Sequence, residues 1–186
     1  MSDRIEEELE AGKLLVAEPF LMDPNFKRGV ILLCDYQKDG SFGFILNKPI
    51  EMNISDLISS FPAFTSEVYY GGPVQTDTIH YLHTKGDLLP SSIKVLSGVY
   101  WGGDFEQLKA FIEAGKIQPQ DIRFFVGYSG WSSGQLKEEC KTFSWITTDG
   151  HFDYVFGEHK ELWKSVLEEQ GGTYSVIAQI PAPILS

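Results

Sequence analysis

The segment Gly127-Tyr128-Ser129-Gly130-Trp131-Ser132-Ser133-Gly134-Gln135-Leu136 concentrates glycine, serine, an amide and two large aromatics. Two kinds of chemistry fit it. Read as a nucleophile elbow, Gly130-Trp131-Ser132-Ser133-Gly134 offers Ser132 as nucleophile, with His151 or His159 as base and Asp149 or Asp153 as orienting acid. Read as a recognition surface, Tyr128 and Trp131 are flat apolar walls with polar tips, Gln135 is donor and acceptor, and Glu139 follows one helical turn later. An elbow requires an alternating parallel sheet, and the chain has too few crossover helices to build one. The expectation is therefore ligand or partner binding by Tyr128, Trp131, Gln135 and Glu139, with no catalytic residue assigned; a small hydrolase or transferase using Gly127–Glu139 is the alternative.

Other residues could join that surface. Asn47 and Lys48, before Pro49, offer an amide and a point positive charge, and Gly71-Gly72 ahead of Pro73 can present successive N–H groups to an anion. His80 and His83 suggest metal ligation, but residues three apart on a strand face opposite ways, and no second Cys/His pair completes a tetrahedral set. No metal and no cofactor are expected, and His83 is read as a buried hydrogen-bonding or pocket residue.

The elements that must position these groups follow from periodicity and punctuation. Strands are predicted at Leu14–Ala17, Val30–Asp35, Phe42–Leu46, Val68–Tyr70, Thr78–His83, Val95–Tyr100, Ile122–Val126, Phe143–Thr147 and Tyr174–Gln179, all rich in β-branched and aromatic residues. The glycines after Val126 are expected to form a tight turn leading into a helix over Gln135–Lys141. Asp104 should cap a helix over Phe105–Ala114, with Gln107 reaching back and Gly115 stopping it; Leu108, Phe111 and Ile112 form its apolar stripe. Leu162, Trp163, Val166 and Leu167 mark another helix, ended by Gly171-Gly172, and Ser55 should cap a short one at Asp56–Ser60. Short, closely spaced strands with few helices predict an α+β protein.

Several motifs occur in an order that resembles one family. Gly12-Lys13-Leu14-Leu15-Val16-Ala17, Asp23-Pro24-Asn25-Phe26-Lys27-Arg28, Gly43-Phe44-Ile45-Leu46-Asn47-Lys48-Pro49, Gly71-Gly72-Pro73-Val74, Leu82-His83 and the Gly-Tyr-x-Gly-Trp-x-x-Gly-Gln-Leu segment are together similar to the AlgH/YqgE-like family of bacterial proteins. That family is labelled for transcriptional regulation rather than for a reaction. The resemblance implies a mixed, bifurcated, barrel-like sheet flanked by a few helices. Lys137 replaces the acid usual in that family, whereas Glu139 keeps the second one; Tyr36 and Gly29 replace the usual His and Ser. Neither Ser132 nor Cys140 is supported as a reactive group by the resemblance.

Composition narrows the partners. The chain has 186 residues, 42% of them hydrophobic, and no linker divides it, so residues 1–186 read as one domain. Its net charge of -11 repels phosphate backbones, and Lys and Arg do not cluster. Direct DNA binding is the third reading, behind an indirect effect on gene expression through a protein partner or small ligand. The opening segment, residues 1–11, is acidic, lacks the pattern of an export signal, and reads as a frayed helix. With no membrane-spanning run and two separated, apolar-flanked cysteines, Cys34 and Cys140, the expected setting is the cytoplasm.

Overall fold

The computed structural model describes residues 9–142 and 144–182; the acidic opening up to residue 8, and Phe143, lie outside the described residues. Among the described residues, ten strands make one branched sheet. They are β1 (Lys13–Ala17), β2 (Val30–Gln37), β3 (Gly40–Ile45), β4 (Pro49–Asn53), β5 (Glu67–Tyr70), β6 (Val74–His83), β7 (Ile93–Leu96), β8 (Val99–Trp101), β9 (Ile122–Ser132) and β10 (Trp145–Asp149). Helices α1 (Ile54–Leu57), α2 (Phe105–Glu113), α3 (Gln135–Lys141), α4 (Phe152–Phe156), α5 (Leu162–Gln170) and α6 (Gly172–Ile177) flank it. The fold is mixed α+β, as expected.

The branch point is β9. Strand order is β10-β1-β2-β3-β9-β6-β8-β7, with β5 attached to β9 and β4 to β5. The first half of β9 pairs in parallel with β5 and antiparallel with β6, whereas its second half pairs Ser129 to Ser132 with Gly43 to Gly40 of β3. One strand thus serves two arms of a forked sheet.

Both faces of the β1–β3 arm are buried. Leu14, Val16, Leu32 and Phe44 pack with Trp163, Val166 and Leu167 of α5; Leu15, Ile31, Leu33 and Ile45 pack on the other side with Trp131, Leu136 and Trp145. This explains why these strands read as continuous apolar runs, and each buried aliphatic side chain contributes about 1.5–3 kcal/mol. A third cluster joins Phe124 to Leu108 and Ile112 of α2. Asp104 Oδ1 accepts the Gln107 N–H at 3.0 Å, and Gly115 takes φ +73°, so the predicted stop signal of α2 is present; Gln107 contributes its backbone N–H to the cap.

Four expectations need correction. Tyr174–Gln179, predicted as a strand, lies mostly in α6; it follows α5 directly and buries Ala178, and tertiary contact overrides the β-propensity of Val176 and Ile177. Val95–Tyr100 is divided between β7 and β8 by a turn at Gly98, φ +81°. The short helix starts before Ser55, because the Asn53 N–H is accepted by Asp56 Oδ2 at 3.3 Å and Ile54 already begins the turn. Finally, the glycine-rich segment is not a turn after Val126. It is the second half of β9, and the chain reverses only around Gly134, φ +75°. Strand β4 was missed because it opens on Pro49 and is mostly exposed, an edge-strand pattern with little apolar signal. Among the described residues no helix is long and apolar enough to cross a membrane.

Candidate functional site

Gly127 decides which way the signature residues point. Its φ of +67° lies at a bulge in the β6–β9 pairing, whose extra residues belong to β6 between Val74 and Ile79. Strict alternation would send Phe125 and Tyr128 to opposite faces; with the bulge, both pack against the first core cluster. Gly71 and Gly72 cross this point at backbone contact distance: a Cβ on Gly71 would lie 2.4 Å from the Gly127 carbonyl oxygen, and one on Gly72 2.3 Å from Tyr128. The Gly71 N–H donates to Val126 O at 2.8 Å and its carbonyl accepts from Ile45 N and Ser129 Oγ. These glycines therefore hold the crossing of two segments of the chain, and the N–H of Gly71 does not face a ligand.

Past the bulge, Trp131 enters the second cluster, opposite Tyr128. Glu139 Oε1 accepts the indole N–H groups of Trp131 at 3.2 Å and Trp145 at 2.9 Å, and Oε2 accepts the Gln135 amide at 2.9 Å. Gln135 Oε1 in turn accepts the Ser132 N–H at 3.0 Å. The carboxylate is thus a clasp joining β9, α3 and β10, with its donors drawn from within the protein. Trp131, Gln135 and Glu139 come together as expected, but around one another.

Asn47 and Lys48 brace a different loop. Asn47 Oδ1 accepts the Val30 N–H and its Nδ2 donates to Arg28 O, both at 2.9 Å; Lys48 Nζ donates to Lys27 O at 3.1 Å. Burial, then the neighbouring Lys27 charge, hold the Lys48 ammonium below its ordinary value. Arg28 sits at φ +54°, its guanidinium 4.0 Å over Trp163 and donating to Ile180 O at 2.9 Å. A cavity of about 760 Å³ opens there, bordered by Asn47, Arg28, Arg123 and His159. Arg123 is also engaged, donating to the carbonyls of Val155 and Phe156.

His83 is fully buried. Its Nδ1 accepts the Lys85 N–H at 3.1 Å, which assigns the proton to Nε2, 2.7 Å from the Gly102 carbonyl. Burial lowers its pKa, opposed by that carbonyl. His80 goes elsewhere, packing on Phe44 and edge-on to Tyr128. The two imidazoles therefore occupy separate environments.

On the Tyr128 side of β9 lies a cleft of about 730 Å³ that borders Tyr128, Gly130 and Trp131. Its walls are Phe42, Trp101, Tyr128 and His80, and Asp35 and Asp39 line it as well. Phe42 stands edge to face with Trp101 at 4.8 Å and with Tyr128 at 6.0 Å. Unlike Trp131, Tyr128 makes no side-chain hydrogen bond among the described residues. Phe42, Trp101 and the two aspartates escaped sequence reasoning, and His80 was weighed only as a metal ligand, because β3, β6, β8 and the β2–β3 hairpin bring these residues in from separate segments; the Trp101-Gly102-Gly103 string was the available signal.

For the elbow alternative, Ser132 ends a strand instead of crowning a strand-to-helix turn, and its hydroxyl donates to Gln135 Oε1 at 3.3 Å. His159 bonds Asp153, and His151 follows β10, separated from β9 by three strands in the sheet order. Among the described residues no hydrogen bond links Ser132 to a histidine.

Comparison with known proteins matches this geometry to a family. The "DUF179: AlgH-like" family model matches residues 14–175. A UPF0301 protein of Chlorobaculum parvum is 47% identical over 94% of both chains, and one of Chlorobaculum tepidum 46% identical over 93% of both. The solution structure of the AlgH protein from Pseudomonas aeruginosa superposes with a TM-score of 0.73 at 26% identity, covering 94% of this chain and 95% of that one. A Corynebacterium diphtheriae protein shares the fold, with a TM-score of 0.77 at 21% identity over 92% of this chain and 93% of that one. With the forked sheet, the glycine crossing and the signature strand all in place, the chain belongs to the AlgH-like family.

Proposed function

We propose that this chain is a binding protein without catalysis of its own, acting in the cytoplasm and affecting gene expression indirectly through a small ligand or protein partner. The observation that carries this reading is the cleft beside the signature strand, where Tyr128 of the motif joins Phe42 and Trp101 in an aromatic wall. Clefts of this size, mostly apolar with a few polar groups, are the usual form of small-molecule sites. In this reading Tyr128 contacts the ligand. Trp131, Gln135 and Glu139 hold β9 against α3, and Gly71, Gly72, Asn47, Lys48 and His83 keep the surrounding loops in register. The net charge of -11 places direct DNA binding behind it.

A fragment screen by two-dimensional NMR on the full chain tests the proposal. Ligand-induced shifts should cluster at Phe42, Trp101 and Tyr128 and vanish in Tyr128→Ala. Shifts confined to the cavity around Arg28, or no saturable shifts at all, would overturn it.

A further inference from the structure

We infer that the aromatic cleft takes an organic cation, an alkylated or quaternary ammonium group carried by a small molecule. This rests on the cleft being the binding site and adds the chemistry of what enters it. Three observations converge. First, the rings are set as walls meeting at steep angles: Phe42 and Trp101 at 60°, Phe42 and Tyr128 at 77°, His80 and Tyr128 at 87°. A cation near such rings is attracted by the negative π faces, Trp being the strongest contributor, and an ammonium headgroup surrounded by methyl groups also buries apolar surface there.

Second, the charge at the cleft has one sign. Asp35 and Asp39 line it, and among the described residues no lysine or arginine does. Asp35 Oδ1 accepts the Gln37 amide at 3.0 Å, so that carboxylate is oriented from one side. Burial holds the His80 imidazole below its ordinary value, which disfavours its charged form; its Nε2 lies 3.0 Å from Thr78 Oγ1. Third, the chain as a whole carries a net charge of -11, so its field draws cations toward a mouth already lined by carboxylates. The contrast with the other cavity is chemical: that one is of mixed sign, bordered by Arg28, Arg123, Lys160 and Lys164 as well as by Glu67, Glu158 and Glu161. A carboxylate or phosphate would meet repulsion at the aromatic cleft, and a neutral apolar group would leave the charges of Asp35 and Asp39 uncompensated by the ligand.

The probe is choline, paired with its uncharged isostere 3,3-dimethylbutan-1-ol, titrated into the full chain by calorimetry and by tryptophan fluorescence. Choline should bind saturably and at least roughly tenfold tighter than the isostere, the range expected when several rings act together. Asp35→Asn with Asp39→Asn should weaken choline severalfold and leave the isostere unchanged; Trp101→Leu should weaken choline more than the isostere. Circular dichroism and melting of each variant separate loss of the site from loss of the fold. Equal affinity for choline and the isostere would overturn the cation inference while leaving the cleft as a binding site. Failure of choline to bind at millimolar concentration overturns the inference as well, and if no screened fragment shifts Phe42, Trp101 or Tyr128 the underlying reading falls with it.

Discussion

Tyr128 and Trp131 stand three residues apart on one strand and lead opposite lives. Trp131 is buried, its indole N–H held by Glu139 together with that of Trp145; Tyr128 is half-buried, faces a cleft, and meets Phe42 and His80 through its ring. Residue type does not distinguish them, since each is an aromatic with a polar tip. What separates them is the Gly127 bulge and the presence of α3 on one side of β9 only. A signature motif can therefore combine a structural half and an exposed half.

The sharpest way to break this comparison is to truncate both aromatics. Trp131→Ala should lose about 3–5 kcal/mol in urea unfolding, as large core truncations do, and a loss below about 1 kcal/mol would remove the clasp from the account. Next come the glycines that seat the strand crossing. Gly72→Ala puts a Cβ 2.3 Å from Tyr128 at a backbone φ of +152°, so it should cost about 2–3 kcal/mol and broaden the amide resonances of β9. Glu139→Leu leaves two indole N–H groups without their acceptor; a loss of about 1–3 kcal/mol is expected, with red-shifted or quenched tryptophan emission reporting the opened cluster.

A pH effect should follow from fully buried His83 and partly buried His80. Burial lowers the pKa of His83 and of His80, so the unfolded chain binds more protons than the folded one below about 6.5. Stability is then complete above that pH and falls as pH drops through the window between 6.5 and the lower folded values. Unfolding midpoints measured from pH 7.5 to 5.5 should show this slope, and His83→Gln should flatten it; an unchanged slope would assign the effect elsewhere. Smallest of all, Tyr128→Ala should cost no more than about 1–2 kcal/mol, yet it should remove fragment binding at the cleft. If it destabilises as much as Trp131→Ala, the two aromatics are alike and the comparison fails.

Much of the scaffold was legible in the residues. Apolar runs announced β1, β2 and the start of β9, Asp104 and Gly115 bracketed α2, and the periodic Leu162, Trp163, Val166 and Leu167 marked α5, because these signals are local. Tyr174–Ile177 misled because β-branched content is only a weak preference, and packing after α5 settled it as helix. The glycine-rich stretch misled for a different reason. Glycine permits a turn, but it equally permits a bulge or a close backbone crossing, and here Gly127 makes the bulge while Gly71 and Gly72 make the crossing.

The site was legible only in fragments. The pairing of Trp131, Gln135 and Glu139 could be read from spacing on a strand end and a helix, whereas the cleft needed Phe42 from β3, His80 from β6 and Trp101 from β8. By itself, the sequence determined the local elements, the family and the acidic charge, since each depends on neighbouring residues or on simple sums. Only the tertiary structure decided that Tyr128 opens onto a cleft while Trp131 is held in a clasp, because strand order, the irregular pairing at Gly127 and the side on which α3 packs are set by contacts between distant segments.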